Sequence, residues 1–183
     1  MQKEFPEMPL VRYATGGYIC TSPFPYDGIF RRAVLNFKFH NCGAYAELLS
    51  HEMVRSIKDV YRDREFDLVT CVPMHKDTLR ERGYNQAELL AKECARLLGI
   101  EYADLLAKTK KNKTQHSIKA AERAKNVIGV YSPIDKNLIK GKRILIIDDI
   151  ITTGSTLGEC ARILNKCKCG EICCCTLCTS LLI

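Results

Sequence analysis

The segment from Ile144 to Thr156, which reads ILIIDDIITTGST, constrains the fold more than any other part of the chain. Four consecutive apolar residues, Ile144–Ile147, are typical of a central strand that is buried on both faces of a parallel sheet. Two carboxylates, Asp148 and Asp149, follow where we expect the strand to leave the sheet. Open α/β sheets bind ligands at the carboxyl ends of their strands, so the segment predicts a ligand site at that edge.

The residue types after the strand suit a sugar phosphate. The first backbone N–H groups of a helix lack intrahelical partners and attract anions, and glycine allows the backbone to approach a phosphate closely. Adjacent carboxylates repel each other, a cost that ribose hydroxyls with Mg²⁺ nearby would offset. We therefore assign Asp148 and Asp149 to a ribose. The candidate ligands of its 5′-phosphate are Thr152, Thr153, Gly154, Ser155 and Thr156.

Three competing motifs fit this segment less well. A buried strand followed by a capped helix accounts for the threonines and the glycine, but not for two acids that end the strand with four hydroxyls after them. A Walker A phosphate loop requires a Gly-Lys-Ser/Thr sequence, which the segment lacks, and a dinucleotide fingerprint requires more than its single glycine.

Strand and helix patterns alternate along the chain and predict an α/β fold with a mainly parallel central sheet flanked by helices. Apolar residues recur at helical spacing over 29–37 and 48–60, whereas residues 1–25 are interpreted as extended or irregular. Later helices are predicted at 85–98 and 156–167, and a polar, basic loop at 74–83. The predicted strands are 67–73, 127–131, 143–148 and 172–179.

Capping signals set the boundaries of the two later helices. Asn85 and Glu88 stand at the positions of a capping box, and Gly99 is placed to end that helix. Thr156 and Glu159 have the same spacing and predict a second capping box.

Charge and composition narrow the partners rather than the fold. The net charge of +7 at pH 7 favours anionic partners such as a phosphate-bearing ligand, nucleic acid or an anionic surface. The N-terminal residues show no apolar signal region, and apolar runs such as Ile144–Ile147 are far shorter than the ~20 residues of a spanning helix. We therefore expect a cytoplasmic protein with no membrane span.

The 11 cysteines favour free thiols in a reducing compartment, because their number is odd and their spacing uneven. Cys175 and Cys178 form a C-x-x-C pair, but residues at that spacing on a strand point to opposite faces. We expect no zinc in this chain and interpret the C-terminal cysteines as small apolar residues. They are Cys167, Cys169, Cys173, Cys174, Cys175 and Cys178.

All thirteen residues of Ile144–Thr156 match the signature with which type I phosphoribosyltransferases bind phosphoribosyl pyrophosphate (PRPP). The sequences VPMHK at 72–76 and RGYNQAELLA at 82–91 resemble the ComF/GntX competence-protein family. The resemblance runs from about Tyr26 to the C-terminus. It implies a type I phosphoribosyltransferase-like fold with a small N-terminal hood-like region, which we place at residues 1–60, before a phosphoribosyltransferase-like domain at 61–183. Further matching residues are Lys108, Thr109, Gln115, Arg123 and Asn126.

The resemblance also implies residue roles. Asp148 and Asp149 would be the catalytic residues, and Mg²⁺ would enter with PRPP rather than on a protein ligand set of its own. The pyrophosphate would meet Met74, His75, Lys76 and Arg82. Residues 108–123 resemble a mobile loop whose closure excludes water; a disordered insertion is the alternative. Its candidate residues are Lys108, Lys110, Lys111 and Gln115.

Two classes of function stay open. As an enzyme, the chain would transfer a ribose to an unknown acceptor, with Tyr18, Phe24 and Tyr26 as candidates for stacking a base. The alternative is a non-enzymatic, PRPP-sensing or partner-binding protein of the competence machinery, because the resemblance implies a role in DNA uptake. A base-salvage enzyme would need a base-specific hood, which we do not identify.

The expected partners are PRPP or another ribose phosphate, with single-stranded DNA, competence proteins and a second copy of the chain as further candidates. ComF relatives carry an N-terminal zinc module with paired C-x-x-C motifs. The first cysteine here, Cys20, has no cysteine close to it in the sequence, so we do not carry that zinc over.

Overall fold

The structure, a computed structural model, describes residues 9–39, 44–110 and 127–180. Its strands are β1 (Leu10–Ala14), β2 (Tyr18–Ser22), β3 (Phe24–Pro25), β4 (Leu68–Cys71), β5 (Glu101–Tyr102), β6 (Leu106–Lys108), β7 (Tyr131–Pro133), β8 (Arg143–Ile151) and β9 (Glu171–Thr179). Its helices are α1 (Gly28–Phe39), α2 (Ala44–Val60), α3 (Lys76–Arg82), α4 (Gln86–Leu98), α5 (Lys136–Ile139) and α6 (Ser155–Lys166).

A central sheet with the strand order β1-β2-β9-β8-β4-β5 organises the fold, and β3 also pairs with β9. All of its pairings are parallel except that of β1 with β2. Ile144–Ile147 occupy the middle of β8, and each is 0% exposed. The prediction of a parallel α/β sheet with this strand at its centre is confirmed.

The sheet separates two apolar cores. Leu145 and Ile147 belong to the core that α2 and α4 cover, whereas Ile144 and Ile146 belong to the core on the side of α6. This alternation follows from the period of two in a strand. The four cysteines of β9, which are Cys173, Cys174, Cys175 and Cys178, are buried in these cores as free thiols, in agreement with their interpretation as small apolar residues.

The N-terminal residues form strands where the sequence pattern predicted extended or irregular chain. β1 and β2 make an antiparallel hairpin around Gly16 and Gly17, whose φ values of 95° and 83° suit glycine. β2 then pairs in parallel with β9 through Cys20↔Cys174. The hairpin therefore extends the central sheet, and the division after residue 60 stays a prediction.

Two other predicted elements are corrected. Residues 76–82 are helical rather than a loop, because His75 caps α3 and Gly83, with φ of 85°, ends it. The strand predicted at 127–131 is instead a turn through Gly129, with φ of 72°, and β7 begins only at Tyr131. Within the described ranges, no helix combines the length and apolar character needed to cross a membrane.

Candidate functional site: a cleft at the carboxyl edge of the sheet

A cleft of about 250 Å³ opens beyond the end of β4, beside the second half of β8. It gathers residues from stretches that are far apart in the chain. Those that the sequence pattern assigned to the site are Met74, His75, Arg82, Lys108, Asp148, Asp149 and Thr156. Those that it did not assign to the site are Val72, Pro73, Thr78, Asn85, Gln86, Ala87 and Tyr131.

Asp148 and Asp149 lie inside β8 rather than after its end, which corrects the predicted strand boundary. The ladder between β8 and β9 continues to Ile151, whereas the ladder between β8 and β4 stops at Ile147. The acids therefore pass the end of β4 and line the cleft, half-buried. The Asp149 N–H donates to Asp148 Oδ1 at 2.8 Å.

The connection after β8 begins α6 without the predicted capping box. The cap residue is Gly154, in a left-handed conformation with φ of 73°. An added Cβ on Gly154 would lie 2.7 Å from the Cα of Ala14, in the β1–β2 hairpin. Glu159 does not reach back to the helix start but accepts hydrogen bonds from Arg162 and from the Gly129 N–H.

The candidate phosphate ligands do not all face the cleft. Thr156 lines it, whereas Ser155 is buried and lines a second cavity of about 450 Å³. Thr153 Oγ1 and Ser155 Oγ share a hydrogen bond of 2.9 Å. Thr152 and Thr153 are half-buried in the connection, so these hydroxyls order the loop on which the backbone N–H groups lie.

The residues assigned to pyrophosphate stand at the start and the end of α3. His75 Nδ1 accepts the Asp77 N–H at 3.3 Å. Arg82 Nη1 donates to Gln86 Oε1 at 2.8 Å, and Gln86 is only 2% exposed. His75 and Arg82 line the cleft with Met74, but Lys76 does not. The buried side-chain amide of Gln86 thus holds the Arg82 guanidinium beside the cleft.

Asn85 joins the start of α4 to the end of β4. Its Oδ1 accepts the Ala87 N–H at 3.2 Å, which confirms the predicted helix cap. Its Nδ2 donates to the Val72 carbonyl at 3.1 Å, a contact between segments that no local sequence pattern identifies. Glu88 pairs with Lys92 rather than completing a capping box.

Lys108 lies on a strand rather than in a loop. It is the cross-strand partner of Tyr131 in the antiparallel ribbon of β6 and β7. Burial lowers the pKa of Lys108, and the charge of Asp148 acts in the opposite direction. Lys110 is exposed at the end of the described range, and two further candidates for the mobile loop, Lys111 and Gln115, lie outside the described residues.

The three aromatic residues proposed to stack an acceptor base lie elsewhere. Tyr18 lines the second cavity. Phe24 is 8% exposed and stacks on Phe30 with 4.1 Å between the ring centroids. Tyr26 packs against the core on the side of α2 and α4. The aromatic ring that does line the cleft is Tyr131, which no sequence pattern marks.

Two carboxylates are the acidic oxygen donors that line the cleft. Among the described residues, no three His, Cys, Asp or Glu side chains are grouped closely enough to hold a metal ion. Asp148 and Asp149 offer the oxygen ligands that Mg²⁺ prefers, and Mg²⁺ usually binds through one or two carboxylates together with substrate phosphates and water.

Residues 85–181 match the family described as the phosphoribosyl transferase domain. Because the match covers more than half of the chain, the chain belongs to this family. The fold agrees: the structure of the glutamine PRPP amidotransferase of B. subtilis in complex with ADP and GMP superposes on 76% of this chain and 30% of that chain, with a TM-score of 0.50 and 18% identity. The structure of the allosteric regulatory enzyme of purine biosynthesis superposes on 76% of this chain and 29% of that chain, with a TM-score of 0.51 and 19% identity.

Curated relatives narrow the family to its ComF-like members. The chain is 31% identical over 144 residues to competence protein F of Haemophilus influenzae, which is 76% of this chain and 63% of that protein. It is 31% identical over 152 residues to competence protein ComFC of Bacillus subtilis, with coverages of 82% and 60%. It is 30% identical over 101 residues to DNA utilization protein YhgH of Escherichia coli, with coverages of 55% and 44%. The chain thus spans less than two thirds of the length of these relatives.

Proposed function

We propose that the cleft binds PRPP and that the chain is a ComF-like, cytoplasmic phosphoribosyltransferase that serves DNA uptake or nucleotide metabolism. One observation carries the proposal. Asp148 and Asp149 share the cleft with Thr156, in the first turn of the twelve-residue helix α6, and with the cations Arg82 and Lys108. These groups match the three parts of PRPP: the acids suit the ribose hydroxyls, the helix start suits the 5′-phosphate, and the cations suit the pyrophosphate.

Each part of the ligand has its own residues in this proposal. Asp148 and Asp149 accept hydrogen bonds from the ribose hydroxyls, and the backbone N–H groups of residues 152–156 hold the 5′-phosphate. The pyrophosphate lies against Met74, His75, Arg82 and Lys108. Mg²⁺ bound with PRPP would neutralise charge on the pyrophosphate.

Transfer would form a bond from an acceptor nucleophile to C1 of the ribose while the bond from C1 to pyrophosphate breaks. The transition state would resemble an oxocarbenium ion, as in glycoside chemistry. Asp148 and Asp149 would hold the ribose in place and place negative charge near the developing cation. The residues that line the cleft do not identify the acceptor.

Titration calorimetry with PRPP and Mg²⁺ tests the proposal. We expect saturable binding to the wild type and at least a hundredfold loss in the double variant Asp148→Asn, Asp149→Asn, because two charge-assisted hydrogen-bond acceptors are removed. The matched control is Asp59→Asn with Asp63→Asn, two exposed acids outside the cleft, which should leave affinity unchanged. No heat from the wild type, or equal affinity in both double variants, refutes PRPP binding.

A second candidate is a non-enzymatic role as a PRPP sensor that binds single-stranded DNA or a competence protein. Two observations favour it: Tyr18, Phe24 and Tyr26 do not reach the cleft, and relatives carry the names competence protein and DNA utilization protein. DNA affinity that falls steeply with salt would support it. If replacing Lys110, Lys111 and Lys113 by Gln leaves that affinity unchanged, this segment is not the contact.

A further inference from the structure

The ribbon of β6 and β7 is fixed at the point where it meets the cleft. The N–H and the Oγ1 of Thr109 both donate to the Val130 carbonyl, at 2.8 and 3.2 Å. The Gly129 N–H donates to Glu159 Oε1 at 2.9 Å. Glu159 is 5% exposed and also bonds Arg162. These contacts tie the ribbon to α6, the helix that begins at the proposed phosphate site.

A lysine and a tyrosine lie side by side on this ribbon. Lys108 and Tyr131 are cross-strand partners, and Lys108 Nζ lies 5.6 Å from the centroid of the Tyr131 ring. That distance is within the ~6 Å at which a cation is attracted to an aromatic ring. The ring itself is 5% exposed, so the surrounding core holds it in place.

We propose that Tyr131 is a positioning residue, whose buried ring holds the Lys108 ammonium inside the cleft to meet the anionic end of a bound sugar phosphate. The inference rests on the proposed binding of PRPP and adds to it a residue that acts through its neighbour. The other charged or titratable side chains at the cleft are His75, Arg82, Asp148 and Asp149. Lys108 is the cation of this set that is placed over the Tyr131 ring.

The physical advantage is a lysine that is ordered before the ligand arrives. A free lysine side chain samples many rotamers, and fixing them during binding weakens the affinity. A ring that already holds the ammonium removes part of that cost. Tyr131→Phe keeps the ring and should keep the function, whereas Tyr131→Leu keeps an apolar side chain and removes the attraction.

Geometry is tested first, without ligand, by NMR of the full chain with lysine labelled at the ε carbon. The resonance of Lys108 is assigned by its loss in Lys108→Gln. We expect an upfield ring-current shift of its ε-methylene in the wild type and in Tyr131→Phe, and a normal position in Tyr131→Leu. An unshifted resonance in the wild type overturns the proposal, whatever the protein binds.

Calorimetry with PRPP and Mg²⁺ then tests the consequence. We expect Lys108→Gln and Tyr131→Leu each to weaken binding about tenfold, and Tyr131→Phe to stay within twofold of the wild type. Because Tyr131 acts through Lys108, the double variant Lys108→Gln, Tyr131→Leu should bind no more weakly than Lys108→Gln alone. Losses that multiply in the double variant overturn the proposal.

Another lysine–tyrosine pair supplies the matched control. Lys92 Nζ lies 5.4 Å from the centroid of the Tyr102 ring, outside the cleft, so Tyr102→Leu should leave PRPP affinity unchanged. A tenfold loss in Tyr102→Leu would mean that removal of any such ring disturbs the site, and would overturn the specific role of Tyr131. If the wild type binds no PRPP, the proposed function fails, and the NMR result still decides whether Tyr131 holds Lys108.

Discussion

The residues of the cleft form an acidic and a basic wall, and these two walls are supported by different kinds of contact. The acidic wall, formed by Asp148, Asp149 and Thr156, is held by backbone: the β8–β9 ladder runs beneath it. In the basic wall, formed by His75, Arg82 and Lys108, side-chain contacts position the two cations Arg82 and Lys108. Gln86 bonds Arg82, and the ring of Tyr131 lies beside Lys108. We infer that backbone clashes damage the acidic wall and that single side-chain changes damage the basic wall.

The largest effect on stability is expected where the β1–β2 hairpin touches α6, the helix whose first turn carries Thr156 of the acidic wall. An added Cβ on Gly158 would lie 2.3 Å from the carbonyl oxygen of Thr15, and this oxygen belongs to backbone that cannot rotate away. Gly158→Ala should therefore lower the free energy of unfolding by about 3 kcal/mol, although alanine normally stabilises a helix relative to glycine by ~1 kcal/mol. Urea denaturation measures the difference.

A second glycine variant serves as the control, because it measures the cost of replacing a glycine where the added Cβ meets no other atom. Gly129 has φ of 72°, and an added Cβ there would have no atom within 4 Å. Gly129→Ala should cost only about 1–2 kcal/mol, the strain of a left-handed residue. Equal losses in the two variants would show that the contact between the hairpin and α6 does not add to the cost of Gly158→Ala.

The sequence predicts the features that depend on local patterns and does not predict the contacts between separate segments. Ile144–Ile147 are identified as a buried central strand because a contiguous apolar run suffices, and Asn85 is identified as a cap because capping is local. The contacts of Gln86 and Tyr131 are not predicted, because they arise only when separate segments meet. α3 is not predicted because it has no buried residue, and hence no apolar stripe to reveal it.

A smaller effect is expected at the junction beneath the basic wall. Asn85 is 7% exposed; its Oδ1 accepts the Ala87 N–H, and its Nδ2 donates to the Val72 carbonyl and to Cys71 Sγ. Asn85→Ala should lower the free energy of unfolding by about 2 kcal/mol, the loss of a cap and of a buried bond. Asp135 caps α5 from an exposed position, and Asp135→Ala should cost about 0.5–1 kcal/mol. A reversed order would mean that burial does not strengthen the junction.

The smallest effect is expected at the amino ends of the parallel strands, on the side of the sheet opposite to the cleft. There an ion pair is expected to stabilise the fold rather than to bind a ligand. Arg143, the first residue of β8, bonds Asp67 through its backbone N–H, Nε and Nη2, at 2.8, 3.1 and 2.7 Å. These bonds hold the pKa of Asp67 well below its ordinary value of 3.8. A carboxyl whose pKa is lower in the folded state stabilises the fold above its unfolded pKa, and loses this contribution as the pH falls through the folded pKa.

Asp67→Asn should therefore be less stable than the wild type at pH 7, and the difference in stability between the two proteins, the gap, should shrink below pH ~4. Urea midpoints at pH 7, 4 and 2.5 measure the gap, with Asp63→Asn, an exposed acid in the same connection, as the control for net charge. A gap that stays constant across this range, or that appears equally in Asp63→Asn, would mean that the bonds to Arg143 do not stabilise this edge of the sheet.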